Sequence, residues 1–275
     1  MEVFDNENVR EDIRRHADRE YPRESCGVVI SIQGIPQYFP CQNLSPDPTE
    51  EFQMCPVDMT DAMDLGELVA IVHSHPDATS QPSAYDLAAM ERYYAAEKAL
   101  DPEAVPIPWI ILSWPGGDFR QVIAEGNVPL TGRDFVHGYH DCWQCCADYY
   151  LRECGLTFPD FSREDGWWED KDGPSHYELN FLSSGFYKVP LEEIQVGDLV
   201  VMQIGRSYHP NHAAIYLGSE PVLPGEGLDI FGQGPFILHH MYARKSAVEI
   251  YGGQWLHRTS FVLRHKEYVR KTSKD

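Results

Sequence analysis

The sequence predicts two domains: an α/β unit over residues 1–128 and an α+β unit over residues 129–275. Three observations point to this. Strand-like and helix-like segments alternate through the first part; a stretch of turn formers with no helical period (125–140) interrupts them; and one helix followed by a run of short strands fills the rest. A chain of 275 residues with 43% hydrophobic side chains can bury two cores of ordinary domain size.

Each element follows from local pattern. Residues 6–21 place Val9, Ile13 and Ala17 at four-residue steps, the spacing of one helical face. CGVVISI (26–32) and PQYFPC (36–41) read as strands parted by a turn at Gly34. Residues 56–68 read as a helix and LVAIVHSH (68–75) as a short apolar strand. A long helix is expected over 83–100 and another strand over 105–114. Residues 125–140 read as the linker. Beyond it, CWQCCADYYLRECG (142–155) reads as a helix with Asp141 at the N-cap and Gly155 as its stop. A polar, aromatic-rich stretch follows (157–188), then strands over 198–204, 212–218, 235–242 and 260–265.

Charge removes some functions. The net charge is −21, which excludes a general nucleic-acid binder, because phosphate backbones require a basic face. The charge is uneven: residues 1–128 carry 23 acidic against 8 basic side chains, and residues 129–275 carry 20 against 14. No apolar run approaches the roughly 20 residues of a membrane span. The first twenty residues are too charged for a signal peptide, so synthesis and folding in a cytoplasm are expected. The seven cysteines are an odd number, and a disulfide framework is not expected in such a compartment.

The first chemical signal is VHSHPDATSQPSAYD (72–86). On a strand, His73 and His75 project from one face. With Asp86 across the intervening loop they supply three protein ligands, and a catalytic zinc leaves its fourth position to water. The same residues admit a plainer reading, because Ser-x-x-Asp before an apolar helix is also a helix cap, with Ser83 and Asp86 as its ends. The string H-x-H-x(7)-S-x-x-D, preceded by YPRESCGVVI (21–30), resembles the JAMM/MPN zinc peptidases, whose fold is cytidine-deaminase-like. That resemblance implies zinc on His73, His75 and Asp86. It implies Glu24 as the general base and Ser83 as a stabiliser of the developing oxyanion. Cys26, beside Glu24, is expected to pack within a strand.

The second signal is YHDCWQCCADYY (139–150). Cys142 falls in the first turn of its helix, where the dipole and unpaired N–H groups favour a thiolate. Cys145 and Cys146 are expected to be core thiols. A nucleophilic cysteine needs a base and an orienting group. His212 opens an apolar strand in NHAAIYLG, and FILHHMY brings His239 and His240. Asp141-Cys142, Gly197-Asp198-Leu199 and the His212 strand resemble the NlpC-type cell-wall cysteine peptidases, papain-like in design. The resemblance implies Cys142 as nucleophile, His212 as base and His239 as the orienting group, with His240 the alternative. A tryptophan follows the nucleophile where a serine is common, and the segment between His212 and His239 is longer than usual. GWWEDKDGP (166–174) is read as either a groove wall or a packed loop.

A JAMM-type unit followed by an NlpC-type unit resembles the tail assembly protein K family of long-tailed bacteriophages. That implies other tail-tip proteins and host peptidoglycan stem peptides or cross-links as partners. It implies assembly in the host cytoplasm, then action from the virion tail tip at the wall. The rival reading is a structural assembly factor with one or both sites dormant. A cytosolic deubiquitinase-like enzyme would account for the first unit alone.

Overall fold

The computed structural model describes residues 6–126, 128–159, 161, 166–223, 226–228, 230 and 232–268. The last seven residues of the basic end, expected to be a solvated tail, lie outside them, as do parts of the 125–140 and 157–188 stretches. The chain divides between residues 127 and 128 into two compact units.

In the first unit, α1 (Glu7–Glu20) starts at Asn6, whose side chain accepts from the N–H groups of Asn8 and Val9. Its buried residues are Val9, Ile13, His16 and Ala17, the expected face with one polar addition. Strands β1 (Cys26–Ile32) and β2 (Ile35–Cys41) form a hairpin. Gln33 and Gly34 both take positive φ at its tip, the two-residue turn that matches strand twist. After α2 (Pro56–Met63), β3 (Glu67–Pro76) pairs antiparallel with β1 and parallel with β4 (Trp109–Trp114). The crossover between β3 and β4 is α3 (Ala84–Leu100), and β5 (Phe119–Val122) closes the sheet in the order β2-β1-β3-β4-β5. Helix α1 lies against β2 and β4, and α2 against β1 and β2. A β-α-β crossover of this kind opens a crevice at the carboxyl end of its strands, where β3 ends in His73-Ser74-His75.

The second unit opens with α4 (Cys142–Cys154) packed on a six-stranded sheet. Its strands are β6 (Phe186–Val189), β7 (Leu199–Met202), β8 (His212–Gly218), β9 (Phe236–His239), β10 (Ala247–Ile250) and β11 (Thr259–His265). Their order is β10-β9-β8-β7-β11-β6, and every ladder is antiparallel. Strand alternation sorts the two faces. Leu199, Val201, Ala213, Ile215 and Leu238 pack towards Tyr149 and Tyr150 of α4. Val200, Met202, Ala214 and Ile237 pack towards Trp255 of α6 (Gly253–Arg258). Short α5 (His176–Asn180) lies in the aromatic-rich stretch. Gly197, at φ +88°, could not carry a side chain: its Cβ would fall 2.1 Å from the Tyr268 ring.

The expected linker is a finding against the sequence reading. Residues 128–140 pack as the first segment of the second unit. Leu130 is fully buried in the α4 core. The Arg133 guanidinium is buried, donating to the Pro129 and Val128 carbonyls and pairing with Asp148. The Glu226 carboxylate accepts from the N–H groups of Leu130 and Thr131 and from Arg152. Turn formers mark irregular backbone, and burial here comes from partners about a hundred residues away. Leu130→Ala is therefore expected to destabilise the second unit by about 2–5 kcal/mol, read as a lower urea midpoint; a true linker would leave the midpoint unmoved.

Candidate active sites

In the first unit, β3 aims His73 and His75 to one side, and Ser74 between them turns away to share a 3.0 Å hydrogen bond with Ser25. The loop over 77–82 then returns the chain to α3. Ser83 is its N-cap: the Ser83 hydroxyl accepts from the Asp86 N–H (3.1 Å), and Asp86 Oδ2 accepts from the Ser83 N–H (2.7 Å). The capping reading and the ligand reading thus meet in one residue. Asp86 Oδ1 lies 3.0 Å from His73 Nε2, and Oδ2 lies 3.1 Å from His75 Nε2. The two Nε2 atoms are 3.0 Å apart. All three side chains are buried, and Phe52 stacks on His73 with 4.5 Å between centroids.

This donor set fits a divalent cation. His75 donates its Nδ1–H to the Thr79 carbonyl at 2.8 Å, which directs Nε2 at His73 and Asp86, the outer-partner arrangement of metal-bound histidines. Two nitrogens and two carboxylate oxygens, converging within hydrogen-bond distance in a buried pocket, concentrate lone pairs that a cation would satisfy.

The electrostatics agree. Burial alone would raise the Asp86 carboxyl, but hydrogen bonds from His73, His75 and the Ser83 N–H outweigh it and hold the group well below the usual carboxylate range. Burial pushes His73 down. Burial would also lower His75, but Asp86 and the Thr79 carbonyl raise it. Glu24, just before β1 and 5% exposed, is pushed by burial up to about 8; His75 opposes that shift and Asp86 adds to it. Ser83 is exposed, and its oxygen serves the cap while its O–H remains able to donate.

In the second unit, Asp141 caps α4. Its Oδ1 accepts from the Gln144 N–H at 2.8 Å and its Oδ2 from the Gly138 N–H at 3.0 Å. Cys142 is therefore the first residue of the helix, half-buried. Its sulfur lies 3.4 Å from the Tyr177 hydroxyl and 4.0 Å from the Asn211 carbonyl. Burial keeps the Tyr177 phenol protonated, and so a donor. Asn211 is pinned through its side chain to Ile204, which fixes the start of β8 and His212. His212 Nε2 lies 3.0 Å from His239 Nδ1. His240 lines the same cavity and donates its Nε2–H to the Arg244 carbonyl at 3.0 Å. Cys142 and His212 line one cavity of about 260 Å³, walled by Trp143, Trp167, Trp168 and Tyr177. Cys145 and Cys146 are fully buried, and burial pushes the Cys145 thiol up to about 12.

Several contributors were not foreseen from sequence. Tyr177 sits in the stretch read only as polar and aromatic. The GWW run takes the first of its two readings, with Trp167 and Trp168 as cavity wall, while His176, stacked on Trp167 at 4.3 Å, is a further unforeseen contributor. Cys142 and Cys145 stand in C-x-x-C spacing, but the burial of Cys145 in the α4 core marks it as a packing residue.

Family comparisons match this architecture. The family model for prokaryotic homologs of the JAB domain matches residues 6–121, and that of the NlpC/P60 family matches residues 132–264. The chain is therefore a fusion of a JAB-like domain and an NlpC/P60 domain. It is 39% identical over 259 residues to the tail tip assembly protein K of Escherichia phage N15, covering 93% of each chain. It is 34% identical over 215 residues to the tail tip assembly protein K of Escherichia phage lambda, covering 78% of this chain and 90% of that one. The chain belongs to the tail tip assembly protein K family. A solution structure of protein DSY2949 from Desulfitobacterium hafniense shares 23% identity over 43% of this chain and 78% of its own, at a TM-score of 0.31, too slight a likeness to bear on function. Among the described residues no helix is long and apolar enough to cross a membrane.

Proposed function

We propose that the chain acts in phage tail-tip assembly with two peptidase sites: a zinc-dependent (iso)peptidase in the first unit and a Cys-His peptidoglycan endopeptidase in the second. The observation that carries this reading is that Cys142 and His212 line one cavity, with His239 Nδ1 lying 3.0 Å from His212 Nε2. Nucleophile, base and orienting group come from α4, β8 and β9, and packing has no need to gather them there.

In the second site His212, with Nε2 engaged by His239, takes the thiol proton on Nδ1. The sulfur, favoured as thiolate at the helix start, attacks the peptide carbonyl. His212 then returns the proton to the leaving amine, and water clears the acyl-enzyme. The substrate is the stem peptides or cross-links of the host wall, met from the tail tip on infection. In the first site a zinc held by His73, His75 and Asp86 would activate a water and polarise the scissile carbonyl. Glu24 takes the proton from the attacking water, and the Ser83 O–H donates to the oxyanion. This site serves the assembly stage in the host cytoplasm, where other tail-tip proteins are its partners.

Digestion of purified sacculi tests the endopeptidase. The wild-type chain is expected to release stem-peptide fragments, and Cys142→Ala to release them at least about 10³-fold more slowly, as loss of a nucleophile does elsewhere. Equal release by both would refute the proposal.

A further inference from the structure

The contact between His212 and His239 leaves one question open: which ring donates. A neutral imidazole carries a single N–H. If His239 donated through Nδ1, His212 would accept on Nε2, carry its proton on Nδ1 and be unable to take one from Cys142. Something must set the tautomer, and the far side of His239 shows what does.

Strand β10 pairs with β9 so that Ala247 stands opposite His239. Glu249, two residues on, falls on the same face, a diagonal neighbour within reach of a long side chain. Its Oε1 lies 3.7 Å from His239 Nε2. Its Oε2 accepts the Trp255 indole N–H at 3.1 Å. That indole, on α6, stands edge-on to His239 with 4.8 Å between ring centroids. The carboxylate is thus aimed by one partner at the one nitrogen of His239 that His212 does not use.

Resting on the peptidase reading of the second unit, we infer that Glu249, steadied by Trp255, is a positioning residue that sets the proton positions along the Glu249–His239–His212 chain. Glu249 accepts only, so His239 carries its proton on Nε2 and presents a bare Nδ1. His212 Nε2–H donates to that nitrogen, and His212 Nδ1 is left bare for the thiol proton. When that proton arrives, the carboxylate charge, relayed through His239, stabilises the imidazolium.

The charges around the chain agree. The His239 ring, 3.7 Å away, holds the Glu249 carboxyl below its ordinary value against the opposing effect of burial, with Trp255 and Arg244 adding to the lowering. Burial, then His239 and His240, holds His212 well below its ordinary value. The resting ring is therefore neutral, the state in which tautomer decides function. The other charged or titratable groups beside this chain are His240, whose Nε2–H is given to the Arg244 carbonyl, and Arg244 and Arg258, which can only donate.

Two measurements on the full chain test this. Long-range ¹H–¹⁵N correlation of the histidine rings reads the tautomers directly, independently of any peptidase activity. In the wild type His239 is expected to be protonated on Nε2 and His212 on Nε2. Glu249→Gln, whose single carbonyl oxygen is held by the Trp255 indole N–H so that its amide N–H faces His239, is expected to lose that pattern, as is Glu249→Ala. The second readout is the pH profile of Cys142 alkylation by iodoacetamide. Glu249→Ala is expected to be slower by about 10-fold at pH 6.5, the lower end of what outer partners of functional histidines contribute. The gap should close above pH 9, where the thiolate forms unaided, whereas a merely structural role would slow the reaction at every pH. Wild-type His239 protonated on Nδ1, or unchanged tautomers in Glu249→Ala, overturns the inference. Failure of the peptidase reading looks different: His212→Ala would then leave the alkylation profile untouched, whatever the ring tautomers show.

Discussion

The wild type is expected to purify with one zinc ion per chain, and a chain carrying His73→Ala and His75→Ala to purify without it. Glu24→Gln is expected to keep the metal and lose turnover by about 10²–10⁴-fold, the usual contribution of a positioned general base. The two variants separate holding from using. The ligand atoms all lie within 4.8 Å of one another, so removing two of three leaves no cage, while Glu24 is not among them. Elemental analysis reads the first effect and hydrolysis of a peptide or isopeptide substrate reads the second. Zinc retained by the double variant would remove the metal site from the account, and full activity in Glu24→Gln would remove Glu24 as its base.

Glu24 also makes a pH prediction for the metal-free protein. Its carboxyl is raised from 4.5 in the unfolded chain to about 8 in the folded one, so over that window the native state binds more protons than the unfolded state. Stability must then fall as pH rises through the window. Below about 4.5 the burial carries no charge penalty; above about 8 the penalty is complete. Urea midpoints of metal-stripped wild type, compared with stripped Glu24→Gln, should diverge in the wild type's disfavour as pH climbs from 5 to 8.5. Parallel curves would mean the Glu24 carboxyl is solvated in the folded protein.

His212→Ala is expected to turn Cys142 into an ordinary thiol. If His212 is the base proposed above, it takes the sulfur's proton within the cavity that both residues line, and wild-type alkylation is expected to proceed at neutral pH. Without the ring the proton must go to bulk water, and the rate then follows a simple thiol titration near 8.5. At pH 6.5 such a thiol is roughly 1% ionised, and the variant should react at least about 10-fold more slowly than wild type. Coincident profiles would show that His212 does not serve as the base.

What the sequence revealed divides by range. His73, His75 and Asp86 were legible because strand and helix periodicity are local rules: two residues apart on a strand share a face, and three past a cap lies the helix N3 position. Cys142 was legible for the same reason, since its N-cap sits beside it. The pairing of His212 with His239 needed the family resemblance, and only the β8–β9 register, which sets His239 opposite Ala214, singles it out from His240. Glu249 was out of reach: its link to His239 depends on how short β10 registers against β9, which four residues of unremarkable pattern do not announce. Leu130 and Arg133 were misassigned to a linker because their burial depends on Glu226 and Asp148, and no local signal reports such partners. The Trp167–His176 stack belongs to the same class.

The shared carboxylate of Asp86 has a consequence for how relatives can diverge in length. One oxygen is tied to the Ser83 N–H, and both face the imidazoles. Adding or deleting a residue between 83 and 86 would swing the carboxylate roughly 100° about the helix axis and empty the pocket of its third donor. In the turn over 77–82, outside that ruler, insertions at exposed Gln81 should be absorbed, whereas those that move the Thr79 carbonyl off His75 Nδ1 should not. An insertion scan with metal content as the readout should show a sharp boundary at residue 83.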